Sequence, residues 1–588
     1  MCHIFRRPSR AAGQLFAVLT ISAAPLAPMA GPTPLAAQQP ARGSERITGT
    51  VTSDAGQPLA GVQVNVVGTT LGAISRDDGQ FTVTGVSPGS VQLRATRLGY
   101  QPAVQTVALA AGQPATVRFT LQAMPTTLDA VVTVGYTSQE RRDISGAVSS
   151  VTSEAIETRQ VGTIQEALRG RIPGVQIAAS GEPGEASRVV IRGQNFLQSS
   201  EPLYVVDGLY MRQNPNLNPN EIASIEVLKD ASAASQYGAQ AANGVIVITT
   251  KRGRPGNNQV SIRSYYGVQN SPEKIDMSGP QRWAEINQMA YVNAGVPVPS
   301  GTIDVLEGRS TVNTDWQDAV FRQGSIQDHS LQVSGATETA SYLLSGGYFK
   351  QDGVIIDTDF ERYSFRLNSE LRRGRFAFGE NIALSRASRQ IPIGNQLIDA
   401  LRFPPVIPVH DPSTASGFGI GTNAIPTFGV NPVGSAALRS EQDRSNQAFG
   451  TIFGQVAFLE NLSYRLNVGF NYNDGNWQRF TQRGYPVRQN ESLNPAALID
   501  QRSTGSMLQL ENLVTWDQTF GRHAFNAVGG YTEQREQFNR LEASRTDFPD
   551  PSLEELDAGT SNQANTGYRN DARLRSLHAR VNYTLSDR

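Results

Sequence analysis

Cysteine is nearly absent from the 588 residues. The single one, Cys2, precedes every candidate domain. Disulfides, cysteine-based metal clusters and a thiol nucleophile are thereby excluded from the folded part of the chain. An excess of charge is missing too, with 51 Lys and Arg against 52 Asp and Glu. That balance removes the electrostatic argument for nucleic acid or an acidic surface as the main partner, and no basic run is interleaved with aromatics. Histidines number five: His3, His329, His410, His523 and His578 are scattered without paired metal spacing. No Gly-x-Ser-x-Gly elbow occurs. Neither an enzyme nor a metal nor a cofactor is expected. Beyond the N-terminus no apolar run reaches the length of a transmembrane helix, yet the negative mean hydropathy decides nothing. Barrels cross membranes on alternating strands whose average hydropathy is unremarkable.

What is present points to an exported chain of several domains. Its 39% apolar content suffices to fold them, and 55 glycines and 32 prolines supply turns. The first 37 residues read as a signal peptide. Arg6, Arg7 and Arg10 form a basic start, Leu15 to Ala24 an apolar stretch, and small residues lead to Ala36-Ala37. Cleavage near Ala37 is expected, and Ala30 also fits. An apolar run of about ten residues cannot cross a hydrocarbon core that needs ~20. Cys2 lies before the apolar stretch and so cannot be the lipid-modified cysteine of a lipoprotein.

Residues 46–123 divide into about seven short β-type runs. Val62, Val64 and Val66 alternate with polar neighbours, as do Val91, Leu93 and Ala95, then Val117, Phe119 and Leu121. This spacing suits a small Ig-like β-sandwich. Asp77-Asp78-Gly79 reads as a hairpin turn rather than a calcium loop. Residues 124–142 lose the pattern and form a linker with one apolar, β-branched run, Ala130, Val131, Val132, Thr133 and Val134. Residues 143–253 mix strands and helices in a compact α+β domain. Thr163 to Gly170 suits a helix, and Val189 to Ile191 and Val245 to Thr250 are buried strands. Leu203 to Val206 is a strand that runs into an Asp207-Gly208 turn.

From residue 254 onward long hairpins take over. Tyr363, Phe365, Leu367 and Leu371 share one parity, while Arg362, Arg366, Asn368 and Glu370 share the other. Leu462, Tyr464, Leu466, Val468, Phe470 and Tyr472 alternate with Ser463, Arg465, Asn467, Gly469 and Asn471. Leu577 to Leu585 repeats the pattern. A strand with one apolar and one charged face needs two solvents, which a sandwich or an outer-membrane barrel provides. Strands of nine to eleven residues, aromatics near their ends, and short turns alternating with long polar loops such as Ile391 to Asp443 favour the barrel.

The middle of the chain carries four ordered blocks: "TIQEALRGRIPGVQI", "PGEASRVVIRG", "PLYVVDGLYM" and "LNPNEIASIEVLKDASAASQYGAQAANGVIVITTKRG". They resemble the plug-domain signatures of the SusC/RagA family of TonB-linked outer-membrane proteins. Upstream, "LDAVVTVGYTSQERRDISGAVSSV" is similar to the family's TonB-box segment. Downstream, "FRQGSIQDHSLQVSGATETASYLLSGGYFKQDGVI" resembles its first barrel hairpin, and "GTVTSDAGQPLAGVQVNVVGTTLGAISRDDGQFTV" looks like a carboxypeptidase-regulatory-like domain. The resemblance implies an all-β chain with an α+β plug: sandwich, plug, then part of a transmembrane antiparallel β-barrel over 254–588. Arg192, Gly193, Asp207, Gly208, Lys229, Asp230, Tyr237, Gly238, Asn243 and Gly244 match the plug motif. Arg192, Asp207, Lys229 and Asp230 are candidates for plug-to-wall ion pairs, with a local turn or cap contact as the equal alternative.

By the same resemblance, residues 130–134 add as a strand to TonB, which with its inner-membrane energising complex loosens the plug. Active import of an oligosaccharide or peptide into the periplasm is implied, with a SusD-like surface lipoprotein as lid and outer-membrane lipid around the barrel. The alternative is a receptor or adhesion protein on the same scaffold without transport. The resemblance implies 22 barrel strands, and the 335 residues from Arg254 to Arg588 have room for about half at roughly 30 residues per strand. A fragment, a truncated gene model or a frameshifted copy is therefore expected.

Overall fold

The computed structural model describes residues 45–588 apart from 55, 98–99, 111–112, 123–130, 135–136, 141–147, 179–180, 194–200, 231–233, 255, 257, 272, 393, 485–494, 551 and 586–588. The signal segment and Ala130 lie outside the described residues. Two compact units result, 1–128 and 129–588.

In the first unit, β1 (Glu45–Ser53), β4 (Gln80–Val86) and β7 (Ala115–Leu121) make one sheet, ordered β4-β1-β7. The second contains β2 (Gln63–Val66), β3 (Gly72–Ile74), β5 (Gly89–Thr96) and β6 (Ala103–Leu109), ordered β3-β2-β5-β6. Alternate residues point into one core: Ile47 and Val51, Val64 and Val66, Phe81 and Val83, Val117 and Phe119. This is the sandwich that period-two alternation requires. Asp78 serves the turn, accepting the Gln80 backbone N–H at 2.9 Å, and Gly79 takes a φ of 76°.

The second unit begins with β8 (Val131–Val134), which pairs antiparallel with β9 (Thr137–Glu140). The linker run is thus one arm of a hairpin rather than a lone extended strand. A five-stranded sheet follows, ordered β10-β15-β16-β13-β14, from β10 (Val148–Thr152), β13 (Leu203–Val206), β14 (Leu209–Met211), β15 (Ile222–Leu228) and β16 (Val245–Thr250). Both faces of this sheet are covered. Ile225, Ile246, Ile248 and Val206 pack beneath α1 (Ser153–Glu157), α2 (Ile164–Leu168) and the ribbon of β11 (Val175–Ala178) and β12 (Arg188–Ile191). Val205, Leu228, Val245 and Val247 pack on the other side with Tyr210 and Tyr237. Near-continuous apolar strands follow from this double burial. Thr163 caps α2 by accepting the Glu166 N–H at 3.3 Å, and Gly170 just beyond takes a φ of 74°.

Ten further strands form one antiparallel sheet in strict chain order. They are β17 (Gln259–Gln269), β18 (Gly324–Ala336), β19 (Ala340–Asp352), β20 (Asp359–Arg373), β21 (Phe376–Gln390), β22 (Arg439–Leu459), β23 (Leu462–Thr481), β24 (Ala497–Phe520), β25 (His523–Thr546) and β26 (Ser561–Leu585). At one end the connections are the short turns 337–339, 374–375, 460–461 and 521–522. At the other they are 270–323, 353–358, 391–438, 482–496 and 547–560. The expected loop from Ile391 to Asp443 ends earlier, because Arg439 to Asp443 already belong to β22. These long connections also hold helices that strand periodicity does not announce: α3 (Pro280–Asn293), α4 (Ser300–Leu306), α5 (Trp316–Val320), α6 (Gln396–Arg402) and α7 (Pro432–Leu438). Trp316 and Phe403 meet edge to face at 4.8 Å and tie two of the connections together.

Strand length departs from the expected nine to eleven residues, running from 11 in β17 to 25 in β26. The alternation covers only the part next to the short turns. Beyond Tyr472 the outward positions of β23 become Asp474, Asn476 and Gln478, and beyond Leu577 those of β26 become Arg575, Arg573 and Asp571. The hairpins therefore continue past the apolar belt, held there by the backbone ladder and by side-chain contacts such as Trp477 and Arg479 with Glu441.

Candidate functional site

The inward face of the sheet and the α+β domain meet over a polar interface. Parity decides which side chains reach it. On β20 the residues Arg362, Arg366 and Asn368 are buried, while Tyr363, Phe365 and Leu371 lie outward and exposed. On β23, Gly469 faces inward, where a Cβ would come within 2.6 Å of Leu209 Cδ1 of β14. Leu466 and Tyr472 face out.

Arg366 holds the centre. Its Nε donates to Glu221 Oε2 at 2.7 Å, its Nη1 to Asn381 Oδ1 at 2.7 Å, and Asp207 Oδ2 stands 3.9 Å away. The guanidinium lies over the Phe449 ring, 5.8 Å from its centroid. Asp207 sits there because Asp207 and Gly208, with φ of 46° and 87°, form the two-residue hairpin joining β13 to β14. Its carboxylate accepts the Thr250 N–H at 3.1 Å and the Thr250 hydroxyl at 2.7 Å, and it also accepts from Asn381 Nδ2. Such an ion pair needs these extra hydrogen bonds to offset its desolvation.

Arg362, fully enclosed and four residues back along β20, has no carboxylate within bonding distance among the described residues. Its Nη1 donates to Gly162 O at 2.6 Å, and its guanidinium lies 5.7 and 5.8 Å from the Phe349 and Phe360 rings. A wall cation is thus held by backbone carbonyl and π-faces, which suits the delocalised charge of arginine.

Further along the interface the contacts are amides and hydroxyls. Gln509 of β24 accepts the Tyr210 N–H at 3.1 Å and donates to Gly208 O at 2.9 Å. Asn218 donates to Ser364 at 3.2 Å, Asn220 to Asp328 at 2.8 Å, and Gln240 to Gln534 at 2.9 Å. On β17, Arg263 contacts Glu157 at 3.2 Å, and Lys251 contacts the same carboxylate at 2.6 Å. The neutral pairs among these seat a domain while each remains separable at about 1 kcal/mol.

Of the sequence candidates, Asp207 and Gly208 bond directly to the wall. Arg192 pairs with Asp230, and Lys229 donates to Pro173 O at 2.7 Å. Both contacts are local to the α+β domain, of the kind the turn or cap alternative describes. Arg192 and Gly193, with φ of 55° and 98°, turn the chain after β12. Arg192, Lys229, Asp230, Asn243 and Gly244 line a separate hollow of 460 Å³. Gly244, at φ 90°, leaves room for Ile191, whose Cδ1 a Cβ would meet at 2.8 Å. Asn243 donates to Glu201 O at 3.3 Å. Tyr237, beside Gly238 at φ 67°, meets Tyr210 edge to face at 5.5 Å and so braces the wall-facing hairpin. Sequence reasoning missed Glu221, Thr250, Asn381 and Gln509. For Thr250, Asn381 and Gln509 the only signal was a strand parity shared with many spectators, and Glu221, in the turn before β15, had none.

One acidic group lies off the interface. Glu226 of β15 sits on the sheet face that carries Leu228 and Val247, and burial pushes its carboxyl up to about 7.

The comparisons with known proteins agree with this geometry. The family described as TonB-dependent Receptor Plug Domain matches residues 140–245, and the Carboxypeptidase regulatory-like domain matches residues 46–122. TonB-dependent receptor P3 of Formosa agariphila is 30% identical over 564 residues, covering 92% of this chain and 53% of that protein. TonB-dependent receptor SusC of Bacteroides thetaiotaomicron is 28% identical over 578 residues, covering 92% and 55%. The RagAB peptide importer in its open-open state superposes with a TM-score of 0.64 at 25% identity, over 78% of this chain and 55% of that one. The chain spans about half the length of the curated relatives it matches. It is a relative of the SusC/RagA type of TonB-dependent receptor, with a regulatory-like sandwich, a receptor plug domain and an antiparallel sheet of the receptor-barrel type.

Proposed function

We propose that the chain belongs to an outer-membrane transporter that imports a large nutrient, an oligosaccharide or a peptide, with the plug gated by TonB. One observation carries this reading. A folded α+β domain is hydrogen-bonded to the polar face of a sheet whose other face is an exposed apolar belt. A sheet with oil on one side and a wet, stoppered lumen on the other is the arrangement a gated barrel needs. On β20 the belt runs from Tyr363 to Leu371 and on β23 from Tyr464 to Tyr472, eight residues in each case. At 3.3 Å per residue that is ~26 Å along the strand, or roughly 20 Å of height at a tilt of about 40°, which is most of the apolar band of a membrane barrel.

The hairpin of β8 and β9, immediately before the plug, is the segment that would hand a strand edge to TonB, with Ala130 to Val134 as the contact. Pulling there would load β10 and the plug sheet, whose polar contacts to the wall are individually weak. The name of the RagAB importer, and the SusC relative, support a surface lipoprotein of the SusD kind as partner and the outer membrane as location. The test is Val132→Pro in the full-length protein, which removes a backbone donor. Uptake should fall while the amount at the cell surface stays the same. Unchanged uptake would defeat the coupling role, and surface binding without energy-dependent uptake would favour a receptor instead.

A further inference from the structure

The outward face of β19 to β22 changes character at one level. Phe365 and Leu384 are directly opposed across β20 and β21, as are Leu367 and Ile382 beside them. The next pair toward the long connections is Tyr363 with Arg386, and Arg444 of β22 stands on the diagonal from Arg386, opposite Ser388. Arg386 and Arg444 are both exposed. Among the described residues neither meets a carboxylate, and Arg444 donates only to Gln442. The nearby acids are already engaged. Glu361 accepts the Tyr348 and Tyr363 hydroxyls at 3.0 and 2.9 Å, and Asp352 pairs with Lys350 at 3.6 Å.

Two uncompensated guanidiniums side by side on a sheet repel each other, and an interior strand gives them no other protein partner. They sit directly above an apolar column. We propose that this patch binds a phosphorylated lipid of the surrounding leaflet, its phosphate between Arg386 and Arg444 and its acyl chains along Phe365 and Leu384. Guanidinium forks match phosphate oxygens in pairs, and the rigid β-ladder presets their spacing. The proposal rests on the membrane reading above, because it needs this face of the sheet to look into lipid.

The experiment uses full-length protein extracted from outer membranes and reconstituted in phosphatidylcholine vesicles with and without phosphatidic acid. Retention of the acidic lipid should drop on the order of tenfold in Arg386→Glu/Arg444→Glu. It should return in Arg386→Lys/Arg444→Lys and weaken with salt. Equal retention in the charge-reversed variant overturns the site. Displacement by inorganic phosphate at matched concentration also overturns it, because the site would then take a free anion. A parallel Phe365→Trp variant reports whether brominated acyl chains quench the tryptophan. Quenching together with unchanged lipid retention removes the lipid site alone, and absent quenching removes the membrane reading beneath it.

Discussion

Arg366 on the wall and Glu221 on the plug are bonded Nε to Oε2 at 2.7 Å with both side chains closed off from solvent, across 145 residues of sequence. The wall supplies the cation and the plug the acids, Glu221 and Asp207. Of the charged contacts between the two parts, which include Arg263 with Glu157 at 3.2 Å, this one is closed off from solvent on both sides.

Replacing Arg366 by Leu leaves two buried carboxylates without their cation. We expect a loss of about 3–5 kcal/mol in plug seating, read as a lower unfolding temperature and a leak of large antibiotics through the membrane. Adding Glu221→Leu should recover most of it. If Arg366→Leu alone has no effect on either reading, the pair does not seat the plug.

Gly469 and Leu209 form a second test of the same interface. Gly469→Ala puts a methyl group where Leu209 Cδ1 now lies, and a cost of roughly 1–3 kcal/mol follows from overpacking. Leu209→Ala in the same molecule should relieve part of that cost. A double-mutant cycle with no coupling would show that the two residues do not touch.

The facing of β23 separates neighbours. Leu466→Arg, on the apolar belt, should cost about 2–4 kcal/mol near the membrane midplane. Asn467→Arg points inward, where Asn467 now donates to Glu511 at 2.7 Å, and should be far better tolerated. Equal damage from both substitutions, measured by folded yield in the outer membrane, would reject the assignment of faces.

Glu226 gives the plug a pH dependence of definite sign. Below its ordinary value of 4.5 the carboxyl is protonated in folded and unfolded chains alike, so it costs nothing. Between about 4.5 and 7 the unfolded chain releases the proton while the fold retains it. Stability therefore declines as pH rises through that window, by on the order of 2 kcal/mol. Glu226→Gln should flatten the decline and raise stability at neutral pH. A parallel pH profile in the variant would mean that Glu226 ionises freely in the fold.

Much of the architecture could be read in advance where local pattern and final environment coincide. Tyr363, Phe365 and Leu371 against Arg362, Arg366 and Asn368 state their faces by parity alone, since a strand turns each successive side chain to the opposite side. The Asp207-Gly208 turn was readable because few residue types accept two positive φ angles in succession. The helices α3 to α7 were not, because they sit in connections where no single periodicity spans enough residues. The upper halves of β23 and β26 were missed for a related reason: beyond the apolar belt, no alternation is demanded of them.

Sequence alone therefore determined the alternating strands beside the short turns, which face of each is oily, and that a folded α+β domain precedes the hairpins. Local chemistry suffices for that, since backbone geometry converts residue order directly into direction. Only the tertiary structure decided that Asp207 reaches Arg366 while Arg192 keeps to Asp230. Those partnerships depend on where strands from distant parts of the chain are brought side by side, and several arginines and acids of identical local character competed for each.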